Sequence, residues 1–263
     1  MILNTIKHFF KSNITDNSIG LSELNNIINL KKYSKFHILG SGSSINETNF
    51  KTINSNELTI GFNFWIYNSF IPDIYVFEIK PRDTSKFIFW CSLLAKRENE
   101  LKDVIFLIKD SEIALELNTK LIKDYFPSRL RKNLYLTHDK ALIGRNFFQV
   151  KIAYFLSKIL FKDYIIKYRG TLSYVFSIIP NNKEVSIYGI DFDSRPHFFN
   201  CKNYKNINLP LLKNETTLGT RLHRTVDSNF GSITIDLFIK FTSIKDNIKI
   251  NHIKPGKIDL SRT

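Results

Sequence analysis

The chain has 263 residues, 43% of them hydrophobic and 24% charged, with 10 Gly and 7 Pro; that balance builds a core and excludes disordered and collagen-like classes. Lys and Arg outnumber Asp and Glu by 38 to 24, a net charge of +14, which points to an anionic partner: nucleic acid, a membrane surface, or a phosphorylated or acidic substrate. The two cysteines, Cys91 and Cys201, exclude a disulfide framework and fit a reducing cytoplasm, and no apolar run reaches the roughly 18 residues of a membrane span.

Residues 1–34 read as a helical extension, with Ile2, Ile6, Phe9 and Phe10 on one face and no apolar core of a secretory signal. Short apolar runs at 35–40, 58–63, 73–79, 104–109, 134–138 and 185–191 then read as strands. They are near-continuously apolar rather than alternating, as strands buried on both faces are. Helix-period stretches at 83–98, 111–125, 145–161 and 171–179 lie between several of them. This alternation predicts an α/β fold: one Rossmann-like domain over residues 35–253, with a mostly parallel twisted sheet flanked by helices. Residues 192–224 carry no period and read as a lid-like segment, and residues 254–263 as a basic tail.

Five patches carry chemistry. The first runs from strand 35–40 into Gly40, Ser41, Gly42 and Ser43. At the carboxyl end of a first strand, such a turn holds a phosphate on backbone N–H groups and a helix N-terminus. The same letters also spell a tight strand-to-helix turn with a serine cap. The second is Asn63, which ends the next strand ahead of Phe64, Trp65 and Tyr67. Dinucleotide folds put Asp or Glu near there for the ribose; a neutral amide donates and accepts, and so suits a pyrimidine edge or a ribose instead.

The third patch places Arg169, Thr171 and Ser173 at a helix entrance, an anion-binding corner or a plain cap. The fourth, Asp191–Phe192–Asp193, follows a buried strand with the DxD spacing by which many sugar-nucleotide transferases hold a divalent metal; a structural strand-end carboxylate is the other reading. The fifth sets His223 between Arg221 and Arg224, a base with a near-neutral pKa beside groups that attract carboxylate or phosphate.

In this order the patches resemble the bacterial lipooligosaccharide sialyltransferases of glycosyltransferase family 42. That family has a glycine-serine loop, an Asn before aromatics, an Arg-x-Thr segment, a Gly-Ile-Asp-Phe strand end (here Gly189–Phe192) and a late loop His. The resemblance implies a variant of the GT-A arrangement and a CMP-activated nonulosonic acid donor such as CMP-sialic acid. It implies that Gly40, Ser41, Gly42 and Ser43 face the nucleotide, that Asn63 holds it, and that Thr171 and Ser173 contact donor phosphate or sugar. Arg169, Arg221 and Arg224 are expected to pair with the sugar carboxylate, and the resemblance implies that Asp191 lies at the donor and that His223 is the general base of an inverting transfer without metal or other cofactor. The chain departs from the family's pattern at Asp193 and, further along, at His197 and Phe199, where the family has tyrosines that hold the departing phosphate, and at Glu78, where the family's third strand ends in Asn.

The partners expected are thus a CMP-sugar and an oligosaccharide or glycolipid acceptor of lipooligosaccharide or capsule. The site is cytoplasmic, with a peripheral contact at the inner face of the inner membrane through the N-terminal segment and the lysines of the tail. A homo-oligomer is compatible with this reading. The alternative enzyme is a metal-dependent UDP-sugar transferase using Asp191 and Asp193. Nucleic-acid binding is not expected: no Lys/Arg cluster interleaved with aromatics occurs.

Overall fold

The computed structural model describes residues 18–79, 84–109, 115–142, 144, 146–190, 197–201, 204, 209–210 and 233–253. The strands are β1 (Ser18–Ile19), β2 (Lys35–Leu39), β3 (Glu57–Phe62), β4 (Ile74–Glu78), β5 (Ile105–Lys109), β6 (Leu134–Thr137), β7 (Asp139–Ala141), β8 (Ile165–Lys167), β9 (Glu184–Tyr188) and β10 (Lys249–Ile253). The helices are α1 (Leu21–Ile28), α2 (Ser85–Lys96), α3 (Leu115–Tyr125), α4 (Phe147–Leu160), α5 (Thr171–Ile178) and α6 (Ile235–Lys245). Eight strands form one sheet in the order β1-β6-β5-β4-β3-β2-β9-β10, and every pairing in it is parallel. The expectation of a mostly parallel, helix-flanked sheet holds.

The continuous apolar runs are explained by cover on both faces. Along β4, Ile74 and Val76 join one core cluster while Tyr75 and Phe77 join the other. Along β5, Leu107 faces one side and Phe106 and Ile108 the opposite side. Helices α1, α4, α5 and α6 cover the first face, through Leu24, Val150, Val175 and Phe238 among others. Helix α2 covers the second through Phe87, Trp90 and Leu94, with α3 adding Leu121. Phe77 stacks on Phe126 at 6.1 Å and 10° there, so truncation of such a ring costs about 3–5 kcal/mol.

β10 and α6 have no counterpart among the strands and helices expected from the sequence, and three further segments differ. The segment read as helical from residue 1 to 34 contributes β1, which pairs with β6 at the sheet edge, before the short α1 begins. Its strand is two residues long, too short for any period to register. A separate two-stranded parallel sheet joins β7 to β8, again through strands of only three residues. The described parts of the lid-like segment are anchored in the core. Phe198 and Phe199 are buried, Tyr67 Oη donates to the Pro210 carbonyl at 3.0 Å, and Tyr204 Oη donates to the Tyr67 carbonyl at 2.7 Å.

The strand order reverses beside β2. From β2 the chain winds outward through β3, β4, β5 and β6, and then returns to β2's other edge with β9. In open parallel sheets the crevice at the carboxyl ends of strands flanking such a reversal is where ligands bind.

Candidate functional site

The glycine-serine turn stands at that crevice, held by contacts that its letters do not reveal. Gly40 N–H donates to the Tyr188 carbonyl at 2.8 Å, and Gly42 N–H donates to the Gly189 carbonyl at 2.6 Å. Two N–H groups of the turn are therefore engaged by the end of β9. A Cβ on Gly40 would lie 2.4 Å from the Gly189 carbonyl oxygen, so glycine is required there by the neighbouring backbone. Gly189 itself has φ +60°, and a Cβ on it would meet Ile45 Cγ1 at 2.3 Å.

No α-helix follows the turn. Ser43–Glu47 forms a single 3-10 stretch, and Gly42 precedes it without a side-chain cap bond. The helix N-terminus expected after Ser43 is thus absent, because the chain turns into a second 3-10 stretch at Phe50–Thr52 and then enters β3. Ser41 Oγ lies 3.0 Å from His197 Nδ1, and Phe198 N–H donates to the Ser41 carbonyl at 3.0 Å. His197 stacks on Phe199 with ring centroids 5.1 Å apart and leans on Phe64 at 5.2 Å.

One strand over, Asn63 turns the chain out of β3 with φ +55°, a conformation asparagine tolerates better than most residues. Its carbonyl accepts from Tyr75 Oη, on the adjacent strand β4. Behind it, the buried Arg97 guanidinium donates to the carbonyls of Ile66 at 2.7 Å and Asn68 at 2.6 Å. That arginine holds the 3-10 turn Asn63–Tyr67 in place from α2's end.

The charged part of the rim lies on β4 and β5. Glu78 ends β4, and Lys109 stands in register with it at the end of β5. Lys109 is 2% exposed; its Nζ is 3.2 Å from Glu78 Oε2 and donates to Thr171 Oγ1 at 3.0 Å. Thr171 Oγ1 in turn reaches Asn63 Oδ1 at 3.5 Å. A chain of hydrogen bonds thereby runs from β5 through the first residue of α5 to the end of β3. Burial pulls the Lys109 ammonium's pKa below the usual lysine range; Glu78 opposes this, and nearby Lys167 adds to it. Lys167 pairs with Asp139 beneath.

The loop before α5 is locked by its own side chains. Ser173 Oγ accepts from Tyr168 N–H at 2.7 Å and lies 2.7 Å from the Tyr168 carbonyl and 2.9 Å from that of Gly170. Ser173 is 1% exposed, so its hydroxyl shapes the corner from within. Arg169, at φ +57°, donates from Nη1 to the Ile233 carbonyl at 2.6 Å, tying the corner to the approach to α6.

The structure thus brings Asn63, Glu78 and Thr171 into one cluster and sets Gly40, Ser41, Gly42 and Ser43 on the neighbouring strand end. Asp191, Arg221 and His223 lie outside the described residues. Sequence reasoning missed Lys109, for which a lysine closing the otherwise apolar run Ile105–Lys109 was the available signal; His197 entered it only as a departure from the family pattern. Among the described residues no group of three His, Cys, Asp or Glu side chains is arranged to hold a metal ion. Among them, too, no helix is long and apolar enough to cross a membrane.

No protein-family model matches the chain, and comparison with curated proteins gives no match. Among solved structures, the chain is similar to the monofunctional alpha-2,3-sialyltransferase Cst-I from Campylobacter jejuni, at 13% identity over 87% of this chain and 78% of that one, with a TM-score of 0.48. It is similar to the sialyltransferase CstII from Campylobacter jejuni in complex with cytidine-5'-monophosphate, at 19% identity over 86% and 82%, with a TM-score of 0.45. A structure of the sialyltransferase CST-II with a trisaccharide acceptor and CMP gives 18% identity over 85% and 82%, and a TM-score of 0.46.

Proposed function

We propose that this protein is an inverting glycosyltransferase of the family-42 type, transferring sialic acid or a related nonulosonic acid from a CMP-activated donor to a hydroxyl of a cell-surface glycan. The observation that carries this reading is the Lys109–Thr171–Asn63 hydrogen-bond chain, with Glu78 beside it, on adjacent strand ends next to the order reversal. The amide of Asn63 and the hydroxyl of Thr171 both donate and accept, which matches a cytosine edge or ribose hydroxyls. Lys109 offsets phosphate charge, and Glu78 accepts from hydroxyl or amino groups. The Gly189–Phe192 strand end and the late His223 support the same resemblance.

In this reaction His223 takes the acceptor hydroxyl's proton while that oxygen bonds to the donor's anomeric carbon on the face opposite CMP. The bond from that carbon to the phosphate oxygen breaks, its electron pair leaves with CMP, and the configuration inverts. A departing monophosphate ester carries less charge than a diphosphate, so lysine and hydroxyl donors stabilise it without a metal. Arg221 and Arg224 hold the sugar carboxylate. The acceptor belongs to lipooligosaccharide or capsule, met at the cytoplasmic face of the inner membrane.

Thermal-shift titration tests the donor class. CMP is expected to raise the midpoint in EDTA, whereas stabilisation by UDP that requires Mn²⁺, with none by CMP, would replace the reading by the UDP-sugar alternative through Asp191 and Asp193. His223→Ala is expected to lower turnover by about 10² or more with CMP binding retained; near-normal turnover removes His223 from the mechanism.

A further inference from the structure

One face of the molecule carries chemistry that the transfer reaction does not use. Helix α4 buries Val150, Ala153, Tyr154 and Ser157 against the core. Its opposite side exposes Phe148 at 68%, Phe155 at 65% and Ile159 at 52%. At about 100° per residue these three fall within roughly 40° of arc, a single apolar stripe along the helix. Helix α6 lies alongside, joined through Tyr154 against Phe238 and Phe241, and adds Ile244 at 69% exposure.

The stripe is flanked by cations. Lys151, Lys158 and Lys162 are all exposed, and α4 contains no Asp or Glu. Asp246, the acidic group against the helix, is taken by Tyr154 Oη at 2.5 Å and Lys158 Nζ at 3.3 Å. Large aromatic side chains standing in water beside lysines suit an anionic amphiphilic surface. A second copy of the same face would set lysine against lysine. In charge, the terminal segments do not complement the lysines either. Residues 1–17 hold Lys7 and Lys11 against Asp16, and residues 254–263 hold Lys254, Lys257 and Arg262 against Asp259.

We propose that the α4 face docks in plane on a bilayer bearing anionic phospholipid, with Phe148, Phe155 and Ile159 in the acyl boundary and the lysines among the headgroups. This contact is separate from the candidate site and is read without donor or acceptor.

The test is flotation of the full chain with vesicles of phosphatidylcholine alone, or mixed in equal parts with phosphatidylglycerol. The protein is expected to float with the mixed vesicles at low salt and to be released at high salt. Phe148→Ser with Phe155→Ser should cut partitioning by at least about tenfold, since two exposed rings lose their apolar seat. Lys151→Glu with Lys162→Glu should cut it by a similar factor on mixed vesicles only. The thermal midpoint of the Phe pair should stay unchanged, because both rings are exposed, and that of the Lys pair should fall by only a few degrees, roughly the loss of the Lys151 contact over the Phe147 ring. Absence of flotation with phosphatidylglycerol overturns the proposal, as does flotation unaffected by the Phe pair, which puts lipid contact elsewhere. A wild-type multimer that the Phe pair converts to monomer overturns it too, in favour of an interface between copies.

Discussion

Two stretches of the carboxyl rim, a strand's width apart, use their residues in opposite ways. The turn from Gly40 to Ser43 is rich in small, anion-friendly letters, yet its N–H groups at Gly40 and Gly42 are spent on the β9 end and its Cβ space is filled by Gly189. The corner formed by Asn63, Glu78, Lys109 and Thr171 has no motif-like composition, yet it concentrates an ion pair and a hydrogen-bond chain on one spot. The first is a steric closure of the fold and the second an electrostatic arrangement. Glycine at a strand end reports close approach; what approaches can be the protein's own backbone.

The comparison breaks if substitutions in the two stretches act alike. Gly189→Ala combines a positive φ with a Cβ 2.3 Å from Ile45 and 3.0 Å from the Gly40 carbonyl. It is expected to lower unfolding free energy by about 2–4 kcal/mol in denaturant titration. Arg97→Ala, which leaves the buried Ile66 carbonyl without its donor, should cost about 2–3 kcal/mol and loosen the turn that carries Asn63.

Lys109→Met should do the reverse of Gly189→Ala. Burial already disfavours the Lys109 charge, and Glu78, with 35% of its side chain exposed, can be hydrated when its partner is gone. Stability is expected to move by less than about 1 kcal/mol, while calorimetric CMP affinity falls by about tenfold. A loss of stability with CMP binding intact would make the corner structural and the comparison false.

The smallest effect is one of pH. His37, buried on β2 below the glycine turn, has Nε2 2.8 Å from Glu57 and Nδ1 3.1 Å from Tyr188 Oη. Burial holds its pKa below the ordinary value near 6.5, against the opposing pull of Glu57. The native protein then keeps the ring neutral while the unfolded chain takes up a proton, so stability is full above about pH 6.5 and falls as pH drops below it. His37→Gln is expected to flatten that part of a stability-against-pH curve; an unchanged slope would assign it to other groups.

Much of the fold was legible because its determinants are local. Continuous runs such as Ile74–Glu78 and Ile105–Lys109 announce strands covered on both faces, and the Asn146 cap on Gln149 N–H starts α4 close to where its period begins. β1, β7 and β8 were illegible, because two or three residues cannot display a period. In the candidate site, Asn63 and Thr171 stood out by residue type beside strand and helix ends, and Glu78 by its departure from the pattern that the sequence otherwise resembles. Lys109 did not, since a lysine after an apolar strand is ordinarily a solvated end.

By itself, then, the amino-acid order determined the alternation of strand and helix, the positions of the turns and the surplus of positive charge, all properties of neighbours along the chain. Only the tertiary structure decided that β9 returns to the edge of β2 and consumes the glycine turn, that Lys109 meets Thr171 across 62 residues, and that the phenylalanines of α4 face outward. Those outcomes depend on which surfaces are covered once the sheet is assembled, and coverage is set by partners far away in sequence.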